Sequence, residues 1–312
     1  MKLLAYEEKG GLRLGIATSE GVLNVTAAGE ALGYREGELP SSVMEAIEGG
    51  EAAVAKLEEL VDRALVSGGR SAWLRDESSL SLQSCVTHPN KILCVGLNYR
   101  KHAEETNSPI PAYPILFNKF NNALTGHGQD VALPVVSAKV DYEAELVIVI
   151  GKRAKDVPKE DALDHVFGYC CANDLSARDL QLRTPQWLLG KTCDGFAPLG
   201  PYLVTADEVG DPNDLNIRCV VNGEERQCSN TSDMIFRCDE IVSYVSRHMT
   251  LVPGDVILTG TPEGVILGYP EHRQQWLKDG DLVTVEIEKL GSLTNRMVAA
   301  KAPALPAGGA AS

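Results

Sequence analysis

The sequence has no apolar run long enough to cross a membrane, no cluster of Lys and Arg, and no internal repeat. With a formal net charge of −14, it is poorly suited to nucleic acid or an anionic membrane surface, and the acidic balance argues for solubility. The first eight residues, Met1 to Glu8, show neither the apolar core of a secretory signal nor the Arg-rich, acid-poor character of a transit peptide, which points to the cytoplasm. None of the eight cysteines forms a C-x-x-C pair, and the six histidines are scattered, none at ligand spacing from a cysteine. These absences argue against a disulfide framework and a zinc site, and the cysteines read as reduced core residues. G-x-S-x-G and G-x-G-x-x-G are also missing, so a serine hydrolase and a dinucleotide enzyme lose ground.

What is present centres on Asp141-Tyr142-Glu143-Ala144-Glu145-Leu146, which runs into Val147-Ile148-Val149-Ile150. Side chains alternate along a strand, so Glu143 and Glu145 share a face, while the apolar residues after them read as a strand buried on both sides. Two carboxylates at the mouth of such a strand are either a solvated pair at a fraying end or half of a site for a divalent cation, which would neutralise both. A second apolar strand, Val166 to Asn173, ends in Asp174. Asp174 is either a third ligand or the N-cap of a helix suggested by Ser176 to Gln181.

His102 and Glu105 stand three apart, on one face of a helical turn. A carboxylate beside an imidazole fixes its tautomer and raises its basicity, which suits a base acting on water; the alternative is an exposed polar turn. The Pro-rich stretch Asn107 to Ala112 after it has the composition of a lid loop. Lys191, flanked by apolar residues, is either a snorkelling surface lysine or a cation for a substrate carboxylate or developing oxyanion. Gly260-Thr261-Pro262-Glu263-Gly264 is a Gly-rich turn whose amides and Thr261 hydroxyl suit an anion; otherwise it is an ordinary tight turn.

The chain divides into a small α/β unit at residues 1–66, a linker at 67–90, a β-rich unit at 91–301 and an Ala/Pro/Gly tail at 302–312 that reads as disordered. In the first unit, short strands over Leu3–Tyr6, Leu12–Ile16 and Val22–Val25 precede two helical patterns, one opening at a capping serine before Val43 and one over Glu51–Val66. Nothing in that unit carries chemistry. In the β-rich unit, Asn222-Gly223 after Ile217–Val221 marks a hairpin, and Asp239 to Met249 is helical.

Four stretches together resemble the fumarylacetoacetate hydrolase family: Cys94 to His102, Asp141 to Leu146, Asn173-Asp174 through Asp179, and Leu258 to Gly264. They come in the family's order across roughly residues 90 to 300. The resemblance implies an α+β, β-rich fold: a mixed, rolled, β-sandwich-like catalytic domain with a small N-terminal α/β domain, in a homodimer. It implies Mg²⁺ or Mn²⁺ held by Glu143, Glu145 and Asp174. His102, Glu105 and Lys191 resemble the family's catalytic positions, and Lys119, Arg178, Gln181 and Thr261 its substrate-binding ones. Phe120 follows Lys119 where many relatives carry a proline.

Relatives of this kind act on 2-oxo acids. The expected activity is hydrolysis of a C–C bond in an acylpyruvate-type 2,4-dioxo acid, in which an enolate leaves and His102 with Glu105 activates water. Oxaloacetate decarboxylation passes through the same enolate and is the alternative, followed by a hydroxymuconate-type isomerase or decarboxylase. Outside enzymes, a sensor of metal and oxo acid is a further alternative, against which the water-activating pair argues.

Overall fold

The computed structural model describes residues 1–300, so the tail expected at 302–312 lies outside the described residues. Two mixed sheets dominate. The larger runs, in spatial order, Leu74–Arg75, Gly21–Asn24, Gly11–Thr18, Lys2–Glu8, Ala197–Thr205, Val166–Asn173, Ala144–Ile150, Val256–Leu258, Ile92–Gly96 and Ile115–Lys119. The smaller runs Glu224–Asn230, Asn216–Val221, Leu282–Ile287, Gly291–Ala299 and Asp130–Leu133.

Ala144–Ile150 sits deep in the larger sheet and is buried throughout. Ala144, Leu146, Ile148 and Ile150 belong to the core shared with the smaller sheet, alongside Ile217, Cys219, Val283 and Val285. Val147 and Val149 face the other way, into a core with Leu57 and Leu60 of helix Val43–Val66. Both faces are covered, which is why the run is apolar without alternation. Glu143 and Glu145 continue the Val147 face beyond its apolar part, so the site opens where that core ends.

The first residues form the three expected strands, but Val25, expected to end the third, instead opens a helix over Val25–Ala31 that Asn24 caps. The two helical patterns follow one another directly over Val43–Val66, with a kink at Gly50, whose φ is +55° and ψ −143°. Ser42 caps this helix by accepting from the Glu45 amide at 3.1 Å. The N-terminal strands are not a separate layer. Lys2–Glu8 pairs antiparallel with Ala197–Thr205, Leu3 opposite Leu203. Residues 67–90 also pack onto the body: Trp73, Leu82, Cys85 and Val86 are buried, and the Cys85 amide donates to the Leu199 carbonyl. The Asn222-Gly223 hairpin forms as expected, with both residues at positive φ. The expected helix is Cys238–His248.

Candidate metal centre and active site

Antiparallel register brings the three proposed ligands together. Ala144 lies opposite Asn173, so Glu143, just before one strand, is beside Asp174, just after its neighbour. The Asp174 amide donates to the Glu143 carbonyl at 2.9 Å. Glu143, Glu145 and Asp174 are all buried and offer ligand oxygens within 4.8 Å of one another. This is no solvated pair at a strand end. Asp174 caps no helix either, because the short helix Arg178–Gln181 starts at Ala177 without a side-chain cap.

Three cations surround this cluster. Lys191 Nζ donates to Glu143 Oε2 at 2.6 Å and to Asp174 Oδ2 at 2.9 Å. Arg178 Nη2 lies 2.7 Å from Glu143 Oε1, and Lys119 Nζ lies 2.6 Å from Asp174 Oδ1, both as close ion pairs rather than aligned hydrogen bonds. Lys191 is therefore neither a snorkelling surface residue nor free in the cavity. It reaches the carboxylates because Gly190 lets its turn, Leu188–Lys191, press onto Arg178–Gln181: a Cβ on Gly190 would lie 2.5 Å from the Gln181 amide.

Burial opposes ionisation of Glu143, but the Lys191 and Arg178 charges prevail and hold its carboxyl below the usual range. Glu145 has no ion pair among the described residues and receives the Gly260 amide at 2.8 Å. Burial, then the Asp174 and Glu143 charges, push its carboxyl well up. Around the cavity, the four buried carboxylates of Asp141, Glu143, Glu145 and Asp174 face only the three buried cations Arg178, Lys119 and Lys191. A converging set of hard oxygens, of which Glu145 has no cationic partner among the described residues, fits a divalent cation that would draw off the Glu145 proton.

His102 lies across the same cavity and is only 6% exposed, so the helical turn Arg100–Glu105 is not an exposed polar one. Its Nδ1 is 2.7 Å from Glu105 Oε1. A carboxylate only accepts, so Nδ1 carries the proton and Nε2 is left as the basic nitrogen. Glu105 is held in turn by the Gly264 amide at 2.9 Å. Two amides of the Gly-rich turn hold the site's own carboxylates, Gly260 on Glu145 and Gly264 on Glu105.

Sequence reasoning assigned no role to two further residues. Asp141 accepts from Arg178 Nε at 2.9 Å and from the Ile266 and Leu267 amides at 2.8 and 3.0 Å, tying the loop after the Gly-rich turn to the arginine. Its spacing of two from Glu143 was a usable signal. Gln227 donates to Thr261 Oγ1 and the Pro262 carbonyl and accepts from the Ala144 amide, at 2.8, 2.8 and 2.9 Å. It lies on the edge strand Glu224–Asn230, and nothing in the sequence marks it.

A cavity of about 150 Å³ gathers His102, Glu143, Glu145, Arg178, Gln181, Lys191 and Thr261 against an apolar wall that includes Gly96, Phe117 and Trp187. Lys119 is absent from this wall. Its ammonium is enclosed behind Asp174, donating to the carbonyls of Leu175, Lys191 and Phe196, so it braces the site from behind instead of meeting a ligand in the cavity. Gln181 Oε1 accepts from Arg178 Nη1 at 2.9 Å, leaving its amide nitrogen for the cavity.

A family model described as "Fumarylacetoacetate (FAA) hydrolase C-terminal" matches residues 91–298. A mitochondrial oxaloacetate tautomerase of Xenopus laevis is 45% identical over 262 residues, which are 83% of this chain and 79% of the relative. Its name gives a mitochondrial location, where the first residues of this chain suggested the cytoplasm. A fumarylacetoacetate hydrolase from Exiguobacterium antarcticum superposes with a TM-score of 0.79 at 34% identity, over 96% of this chain and all of the other. A maleylpyruvate hydrolase from Sphingobium sp. SYK-6, solved with manganese(II) and pyruvate, gives 0.76 at 30% identity, over 96% and 100%. No helix among the described residues is long and apolar enough to cross a membrane.

Proposed function

The chain belongs to the fumarylacetoacetate hydrolase family of metal-dependent enzymes, and from that premise we propose that it interconverts the keto and enol forms of oxaloacetate or a closely similar small 2-oxo diacid. The observation that carries this reading is the His102–Glu105 pair across a small cavity from Glu143 and Glu145, which converge with the buried Asp174 behind them. The amphibian relative's name supports the substrate class.

Glu143, Glu145 and Asp174 would hold Mg²⁺ or Mn²⁺. When bound, the cation supplies charge stabilisation for an electron-rich oxygen. His102 Nε2 takes the proton from C3 of the keto acid while Glu105 steadies the imidazolium, and the imidazolium gives that proton to the 2-oxo oxygen to complete the enol; the reverse reaction retraces both transfers. Thr261 accepts from Gln227, which frees its own hydrogen to donate to a substrate oxygen. Gln181 offers its amide nitrogen beside it. Arg178 and Lys191 keep Glu143 ionised.

The name of the amphibian relative favours this reading over acylpyruvate hydrolysis. Oxaloacetate decarboxylation is the second reading, because loss of CO₂ produces the same enolate and needs no nucleophilic water. A homodimer belongs to the proposal, and sedimentation tests it.

The test is a parallel assay of oxaloacetate enol–ketone exchange, oxaloacetate decarboxylation, and acetylpyruvate and fumarylpyruvate hydrolysis, with Mg²⁺, Mn²⁺ and chelator. Fastest metal-dependent exchange of oxaloacetate supports the proposal. Faster hydrolysis of either acylpyruvate would overturn it.

A further inference from the structure

One wall of the cavity is built around a missing side chain. Strand Ile92–Gly96 pairs antiparallel with Ile115–Lys119, Cys94 opposite Phe117 and Gly96 opposite Ile115. The Trp187 ring fills the place that a side chain on residue 96 would take. A Cβ on Gly96 would lie 2.6 and 3.0 Å from two indole carbons, closer than side chains pack. The ring meets Phe117 edge to face, with centroids 5.3 Å apart and planes at 70°. Trp187 also leads directly into the turn that presents Lys191 to the carboxylates.

The largest side chain in the cavity wall is therefore wedged between a strand end and the turn bearing Lys191. Its indole has two torsions and is packed against Gly96 and Phe117, so it cannot swing aside without giving up both contacts. The space left is about 150 Å³.

We propose that Trp187, seated in the notch left by Gly96, limits the size of the 2-oxo acid that this site accepts. The inference rests on the 2-oxo acid reading above. A short acid fits beneath the indole, whereas a longer carbon chain needs the volume that the indole fills. Apolar pockets discriminate by roughly 10- to 200-fold per methylene, so one wedged ring is enough to separate short from long chains.

Calorimetric titration of the Mn²⁺-loaded protein with pyruvate and with 2-oxooctanoate tests this, because the two acids share a head group and differ only in chain length. Wild type should bind pyruvate the more tightly. In Trp187→Leu the ratio of 2-oxooctanoate to pyruvate affinity should rise by at least about tenfold. Any smaller change overturns the proposal, including equal weakening of both acids, which is what a purely structural role for Trp187 gives. Should circular dichroism show the leucine variant unfolded, Trp187→Phe decides: its ratio rises, or the proposal falls. Because binding is read and not turnover, a wild-type protein that leaves oxaloacetate unchanged would sink the proposed function without touching this result. A protein that binds neither acid overturns the size limit proposed for Trp187, while the oxaloacetate assay decides the proposed function separately.

Discussion

Nδ1 of His102 lies 2.7 Å from Oε1 of Glu105, three residues further along the same helical turn. The contact fixes which nitrogen faces the cavity. His102→Ala should lower oxaloacetate enolisation by about 10²- to 10⁴-fold, the range for loss of a positioned proton-transfer group. Glu105→Gln should cost less, on the order of 10- to 100-fold, because the imidazole remains but loses the carboxylate that fixes its tautomer and orientation. Steady-state rates of the two variants check the order. If His102→Ala slows decarboxylation as much as any hydrolysis that wild type shows, the water-activating role is wrong.

Lys191 joins two carboxylates that are buried with it. Lys191→Met leaves Glu143 and Asp174 short of one compensating charge. Breaking a buried pair from one side costs about 3–5 kcal/mol, so urea denaturation of the metal-free variant should show a loss of that order. Added Mn²⁺ should restore part of it, since a cation bound to the native cluster stabilises by mass action.

Glu145 carries a carboxyl pushed well above its ordinary range, by burial first and then by Asp174 and Glu143. A metal needs that group ionised, so binding must release a proton wherever Glu145 holds one. The sign follows: Mn²⁺ affinity falls as pH drops below the raised value and levels off above it. Titrations in two buffers of different ionisation enthalpy should report the proton release. Chelation should abolish turnover while leaving the far-ultraviolet dichroism unchanged.

Gln227 holds Thr261 and the Ala144 amide together, at 2.8 and 2.9 Å. Gln227→Leu strands a buried amide and a buried carbonyl, each costing about 1–3 kcal/mol, so its denaturation midpoint should fall clearly. Thr261→Val removes a hydroxyl on the cavity wall and strands one Gln227 N–H, where Gln227→Leu strands two groups. It should lower kcat/KM for oxaloacetate beyond what that loss of stability explains, and an unchanged kcat/KM would argue against a substrate contact at Thr261.

Much of the fold was legible because local chemistry decides it. Leu146 to Ile150 reads as a buried strand since both of its faces are covered, and Asn222-Gly223 reads as a hairpin since both residues sit at positive φ. The acidic pair at Glu143 and Glu145 was visible from spacing of two. Lys119 shows where that legibility stops. The family resemblance implies a ligand contact for it, yet carbonyls from Leu175, Lys191 and Phe196 enclose it, and these come from distant parts of the chain.

The sequence by itself determined that Leu146 to Ile150 and Val166 to Asn173 are buried strands, that Asn222-Gly223 turns, and which acidic and basic side chains are available for chemistry. Propensity and periodicity act over a few residues, and they were enough for that. Only the tertiary structure decided that Asp174 stands beside Glu143, that the first strand extends the main sheet, and that two amides of the glycine-rich turn hold Glu145 and Glu105. Each of these depends on pairing between segments far apart in the chain, where burial and the need to satisfy every buried polar group choose one arrangement among many.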